Sequence, residues 1–182
     1  MIAGLLILIA VPLGLTWREV RQERLNQALI AAIKRNDTNS VTSLLEQGAD
    51  ANTRDDPGRK ISIWQRLMNQ LQGRSSVTAD APTALFQATF WHAENPTLAQ
   101  ILLRHHAAVN AQDPYGNTAL INCIRVGKGK FADQVYNPTL QALLQAHADV
   151  SLPNRNGETP LYFARLFERP EAIRLLKQAG AK

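Results

Sequence analysis

Cys123 is the single thiol in a chain of 182 residues. A catalytic cysteine needs a base placed to take its proton, and no histidine stands at motif spacing from it. A structural zinc or iron–sulfur site needs several such ligands. Cys123 lies in the apolar stretch Leu120-Ile121-Asn122-Cys123-Ile124, where a free thiol behaves as a small hydrophobe. Gly127-Lys128-Gly129-Lys130 has the residue types of a phosphate cradle. It lacks the full P-loop pattern and follows a helix, where that motif would follow a strand. Neither a carboxylate pair nor a nucleophile elbow appears elsewhere. The expectation is therefore a protein with no catalytic residue, no metal and no cofactor, one that is not an enzyme and acts by binding.

The elements that would position a binding surface come from composition and repetition. With 45% hydrophobic and 19% charged residues, the chain has the makeup of a folded globular protein and not of a disordered one. Twenty Lys+Arg against fifteen Asp+Glu leave a net charge of +5. The positive residues are scattered, with small clusters at Arg18/Arg21/Arg24, Arg59/Lys60 and Lys128/Lys130. That pattern reads as a solvated surface and makes nucleic acid an unexpected partner.

Two sets of short motifs recur. Thr83-Ala84-Leu85, Thr118-Ala119-Leu120 and Thr159-Pro160-Leu161 form one set. Gly48-Ala49-Asp50, His106-Ala107-Ala108, His147-Ala148-Asp149 and Gly180-Ala181 form the other. His106 to Thr118 and His147 to Thr159 are each 12 residues, and Thr159 to Gly180 is 21, a period of 33. Leucine pairs lie between the sets: Leu44-Leu45, Leu102-Leu103, Leu143-Leu144 and Leu175-Leu176. Threonine is a good helix N-cap, and Pro160 suits the first helical position. Gly48 and Gly180 suit a left-handed residue after a second helix. His106 and His147 stand at the same place, and histidine is enriched at positive φ. Both histidines thus have a structural explanation.

On these residues the chain resembles the ankyrin repeat family. The last copy is the clearest: Asn154-Arg155-Asn156-Gly157-Glu158-Thr159-Pro160-Leu161-Tyr162-Phe163-Ala164, ending Leu175-Leu176-Lys177-Gln178-Ala179-Gly180-Ala181. The resemblance covers about residues 25–182, less insertions. It implies an all-α solenoid of about four helix-turn-helix repeats with short β-turn fingers. The divisions are 18–54, 81–112, 113–152 and 153–182, the first and last being capping repeats. The family's TPLH histidine is replaced by Ile30, Phe86, Ile121 and Tyr162, so packing is expected to stand in for its hydrogen bonds.

Two insertions interrupt the period. Gly48 to Thr83 is 35 residues where 12 is expected, placing an extra segment at 55–80 on the first finger. Within it Ile63/Trp64, Leu67/Met68 and Leu71 recur at helical spacing. This predicts a short amphipathic helix over Ile61–Leu71, facing either the array or a partner, followed by a polar loop over Gln72–Asp80. The second insertion falls within Val126–Pro138 and predicts a lengthened loop between two helices.

Residues 1–17 form a separate unit. No side chain of Met1–Leu15 is charged, and Trp17, Arg18, Arg21 and Arg24 follow. Seventeen helical residues span about 25 Å, against a hydrocarbon core of about 30 Å. The interfacial aromatic and positive flank favour an uncleaved anchor, with the repeats in the cytoplasm by the positive-inside rule. A cleaved signal peptide of a periplasmic or secreted protein is the alternative, although no basic residue precedes the apolar run. A capping helix buried in the fold, or a misassigned start, are the others. Pro12 is of a kind that transmembrane helices tolerate.

The resemblance implies protein–protein recognition through the concave face and finger tips, by a monomer. Carried over by position, the finger tips include Tyr115, Arg155 and Asn156, and the exposed ends of the first helices hold Lys34, Arg35, Phe90, Trp91, Arg125 and Phe167. Aromatics and arginine are common interface hot spots, so Phe90-Trp91 is the expected anchor.

Overall fold

The computed structural model describes residues 2–55, 81–126 and 132–182, with side chains from Trp17 onward except those of 132–137. The Ile61–Leu71 helix, the Gln72–Asp80 loop and the Gly-Lys-Gly-Lys turn lie outside the described residues. So do the side chains of residues 1–16.

Eight helices are present among the described residues, and no strand. They are α1 (Ile2–Lys34), α2 (Thr38–Glu46), α3 (Ala84–Trp91), α4 (Pro96–Arg104), α5 (Ala119–Val126), α6 (Ala132–Gln145), α7 (Pro160–Leu166) and α8 (Pro170–Gln178). The first helices α1, α3, α5 and α7 pack on one another in order, and α2, α4, α6 and α8 do the same in a second layer. Each helix also packs on the partner within its pair. This is a two-layer stack of four helical repeats. Isolated antiparallel bridges Arg54↔Thr83 and Gln112↔Thr118 close the stems of two fingers.

Local chemistry accounts for these elements. The Thr83, Thr118 and Thr159 hydroxyls accept the backbone N–H three residues on, at 3.3, 3.2 and 3.2 Å. They thereby satisfy donors that a helix start leaves open. Asp37 and Asn95 cap the second helices α2 and α4. The Ser40 hydroxyl and backbone N–H bonded to Asp37 hold its carboxyl below the ordinary range. The column after the second helices has positive φ throughout: Gly48 at 96°, His106 at 63°, His147 at 61° and Gly180 at 98°. Both histidines occupy the expected left-handed position. One leucine of each pair (Leu45, Leu102, Leu143, Leu176) is buried in the core.

Three features differ from the sequence reading. First, Ile2–Lys34 is a single helix, with no break at the 17/18 division. The first repeat therefore has no threonine-capped helix start. Second, much of the 126–138 insertion is helical. Pro138 matches Pro96 and Pro170, the starts of α4 and α8, but α6 extends six residues upstream of it. Pro138 lies inside α6, where it removes one i→i−4 hydrogen bond from the helix. Third, apolar packing replaces the TPLH histidine in only two of four copies. Ile30 and Ile121 are buried, while Phe86 is half-buried and Tyr162 is 46% exposed.

Asparagines supply hydrogen bonds along this edge instead, one within the first repeat and two between repeats. Asn26, Asn52 and Asn110 side-chain oxygens accept from the backbone N–H of Asp50, Ala108 and Asp149, at 2.9, 2.6 and 2.8 Å. The three donors are one position of the repeat. Each such bond contributes about 1 kcal/mol net, and together they fix the stacking register along one edge.

Candidate functional site

The first helices and the fingers form the two walls of an open groove of about 780 Å³. Its helix wall is built by a helical period. Gln87, Asn122 and Phe163 each lie four residues after a capping threonine. Phe90/Trp91, Arg125 and Leu166/Phe167 follow one turn later, on the same face. Phe90 stacks on Phe86 at 6.3 Å between ring centroids and meets Trp91 edge-on at 5.0 Å. Phe163 stacks on Phe167 at 6.2 Å, and the Arg125 guanidinium lies 5.3 Å from the Phe163 ring centre. Offset and edge-on pairs suit the ring quadrupoles, and the Arg125 contact is a cation–π pair.

A polar chain fixes the Trp91 indole. Its Nε1–H donates to Gln87 Oε1 at 2.7 Å, and Gln87 Nε2 donates to Asp55 Oδ2 at 2.8 Å. Lys34 Nζ lies 2.6 Å from the same Asp55 oxygen. The chain crosses from α1 through the first finger to α3. The indole's polar edge is thus held within the protein while 53% of the residue remains exposed. A rigid aromatic held in this way loses little entropy on binding.

The finger wall is made of side chains that fold back on their own backbone. Asp113 Oδ1 accepts from the N–H of Tyr115 and Asn117 at 2.9 and 2.8 Å. Asn154 Oδ1 accepts from the N–H of Asn156 and Glu158, both at 3.0 Å. The fingers are stitched together by Arg155 N–H to Tyr115 O at 3.0 Å and Asn154 Nδ2 to Asn117 Oδ1 at 3.2 Å. They present Tyr115, 73% exposed, at the rim.

Six of the positions expected to bind line this groove: Phe90, Trp91, Tyr115, Arg125, Asn156 and Phe167. Lys34 is beside it, engaged with Asp55. Arg35 and Arg155 are exposed but are not among its lining residues. The lining also includes Gln87, Asn122, Asp55, Pro82 and Phe163, which sequence reasoning passed over. Their signal was available for the helices: a polar Gln or Asn four residues after a capping threonine, inside an otherwise apolar helix. Asn122 is buried and donates to Thr89 Oγ1 at 3.2 Å, a bond between neighbouring repeats. Asp55 opens the 55–80 insertion and Pro82 follows it, and Asp55 N–H to Pro82 O at 2.9 Å brings both to the rim.

Cys123 lies beneath the groove and is buried. Burial pushes its thiol from 9.0 up to about 12, with Arg169 opposing. At neutral pH the thiolate is then on the order of one part in 10⁵. Native protein should resist a disulfide reagent at pH 7.5 for as long as it stays folded, and react at once in urea. Rapid labelling without denaturant would place the thiol at the surface. The sign of the linkage is fixed too. The folded state keeps its proton between pH 9 and about 12 where the unfolded chain loses it, so this thiol's contribution to stability declines only above pH 9.

Among the described residues no group of three His, Cys, Asp or Glu could hold a metal ion, and no helix is long and apolar enough to cross a membrane. Residues 136–176 match the family model described as ankyrin repeats (many copies). Together with the stack of helical pairs, the match supports an ankyrin-repeat family. A protein of Caenorhabditis elegans described as an intracellular phospholipase A2 is 28% identical over 171 residues. That alignment covers 86% of this chain and 16% of the nematode protein. The chain therefore spans only a small part of that relative.

Proposed function

Taking the ankyrin-repeat array as premise, we propose that this chain is a non-enzymatic, monomeric adaptor tethered to a membrane by residues 1–17, with its repeats in the cytoplasm. Its groove captures a segment of a partner protein. One observation carries the binding role. Among the described residues seven large apolar side chains are exposed, and five of them (Phe90, Trp91, Tyr115, Leu166, Phe167) line one groove. Scattered exposed apolar residues need no explanation, whereas their gathering in one concave surface marks an interaction site. Ankyrin repeats generally act as protein-binding modules.

Tethering is supported by the uncharged run Met1–Leu15 and by Trp17, which is 75% exposed beside exposed Arg18, Arg21 and Arg24 on α1. An aromatic and a positive flank at the end of an apolar run suit a headgroup region. The catalysis of a phospholipase is not carried over with so small a share of that protein. Cys123, the one thiol, is buried.

The test uses intact membranes. Proximity labelling from the full-length protein should identify a partner, and changing Phe90 and Trp91 together to alanine should lower its recovery at least tenfold, or about 1.4 kcal/mol. The thermal transition of the variant should remain cooperative. Unchanged recovery would remove the groove as the binding site. Loss of the cooperative transition would show that the two rings are needed for packing. Extraction by alkaline carbonate would overturn the tether, and protection of a C-terminal tag from protease on the cytoplasmic side would overturn the cytoplasmic placement of the repeats.

A further inference from the structure

We propose that the groove selects a basic segment with aromatic or aliphatic anchors, such as a Lys/Arg-containing amphipathic stretch of the partner protein. This rests on the groove-binding reading above and specifies the chemistry of its ligand. The protein as a whole carries +5, but the groove runs against that balance. Among the described residues Asp55, Asp113 and Glu158 line it, with Arg125 as the cation. Lys34 answers Asp55 from the adjoining helix end.

Asp113 and Glu158 are stabilised differently. Asp113 receives the N–H groups of Tyr115 and Asn117 and the Asn117 side-chain amide. Glu158 Oε2 receives the side-chain amides of Asn154 and Asn156, at 2.8 and 3.5 Å. These neutral donors orient the carboxylates and leave their charge in place. The cation of the groove, Arg125, sits across it on the helix wall, over Phe163. One wall is therefore anionic and the other aromatic. An occupant that presents lysine or arginine to the fingers and a large apolar side chain to Phe90, Trp91 and Phe167 satisfies both. An acidic segment would meet the half-exposed Glu158 carboxylate, with the charge of Asp113, 8% exposed, behind it, and like-charge juxtaposition strongly disfavours wrong partners.

The experiment selects from a displayed library of short random peptides on the full-length protein held in nanodiscs. Enriched sequences should carry net positive charge together with an aromatic or leucine. Their affinity should fall about tenfold in the double variant Asp113→Asn with Glu158→Gln, which removes both charges and keeps one acceptor oxygen on each side chain, losing the Asn117 amide bond to Asp113 Oδ2. The same peptides should weaken as salt rises. Acidic or uncharged winners that still require Phe90 and Trp91 would overturn the charge proposal and leave the groove reading standing. Winners indifferent to the change of Phe90 and Trp91 to alanine would sink both, as would the absence of any enriched sequence. Circular dichroism melts of each variant separate lost binding from lost folding. Should the double variant melt early, Glu158→Gln alone, on the half-exposed side chain, serves as the readout with a smaller loss expected.

Discussion

Gly116→Ala is expected to destabilise the array by about 3 kcal/mol, whereas Gly157→Ala, at the matching position of the next finger, is expected to cost about 1 kcal/mol. The two glycines have nearly the same backbone, with φ of 80° and 81°. A left-handed conformation strains any L-residue at both, which supplies the shared part of the cost. Their surroundings differ. A Cβ on Gly116 would stand 2.6 Å from the Arg155 backbone nitrogen and 3.1 Å from the Asn154 carbonyl carbon, while one on Gly157 would meet nothing within 4 Å. The obstructing atoms belong to the backbone of the next finger, so they cannot swing aside as a side-chain tip would. The fingers would have to part, and the Arg155 N–H to Tyr115 O bond of 3.0 Å would go with them. Urea unfolding of the two variants measures the difference directly. Equal losses would mean that finger stacking contributes nothing beyond conformational strain.

Asn154→Ala is the second large effect, at about 3 kcal/mol, because one buried side chain serves four partners. Its oxygen takes the N–H groups of Asn156 and Glu158, and its amide gives to Asn117 Oδ1 and Glu158 Oε2. Alanine abandons all four in a site where the residue is 9% exposed. Groups left unsatisfied in such a place cost about 1–3 kcal/mol each when fully desolvated, less where water reaches them. Asn154→Asp separates the two halves of this role. Aspartate keeps the two backbone acceptances, as Asp113 does at the equivalent place in the preceding finger. It loses both donations and sets a second carboxylate against Glu158. Its stability should therefore lie between wild type and alanine at pH 7, and should recover as the pH falls and a carboxyl takes a proton. An aspartate variant no better than alanine, at any pH, would show that the backbone turn does not depend on this side chain.

The Gly116 effect comes from the joining of neighbouring fingers, and of the four Asn154 bonds the one to Asn117 Oδ1 crosses between them; this marks how far the primary structure could be followed. The period of 33, the capping threonines, the leucine pairs and the left-handed column of Gly48, His106, His147 and Gly180 were all legible. Each is a local requirement: a cap needs an acceptor, a helix end needs a residue that tolerates positive φ, and a core needs apolar groups at helical spacing. The aromatic and arginine positions of the groove could be found for the same reason, since they recur on one helix face.

What joins one repeat to the next was not legible. Asn52 and Asn110 recur four residues after Gly48 and His106, but nothing in the chain tells that they hold the backbone N–H of Ala108 and Asp149 in the following unit. Gly116 and Gly157 look alike in sequence and differ only in what stands above them. The segment 126–138 exceeds the repeat period and is expected as a lengthened loop, yet residues 132–137 continue helix into Pro138, which the period alone does not reveal. Asp55 acquires its role only when α1 and α3 bring Lys34 and Gln87 to it from 21 residues before and 32 after.

The sequence by itself determined the repeat, its caps and the residue types offered to a partner, because these depend on spacing along one chain segment. Only the tertiary structure decided which of those residues share a surface, what charge that surface carries and where a methyl group cannot fit. Those properties belong to distances between segments that the order of residues does not state.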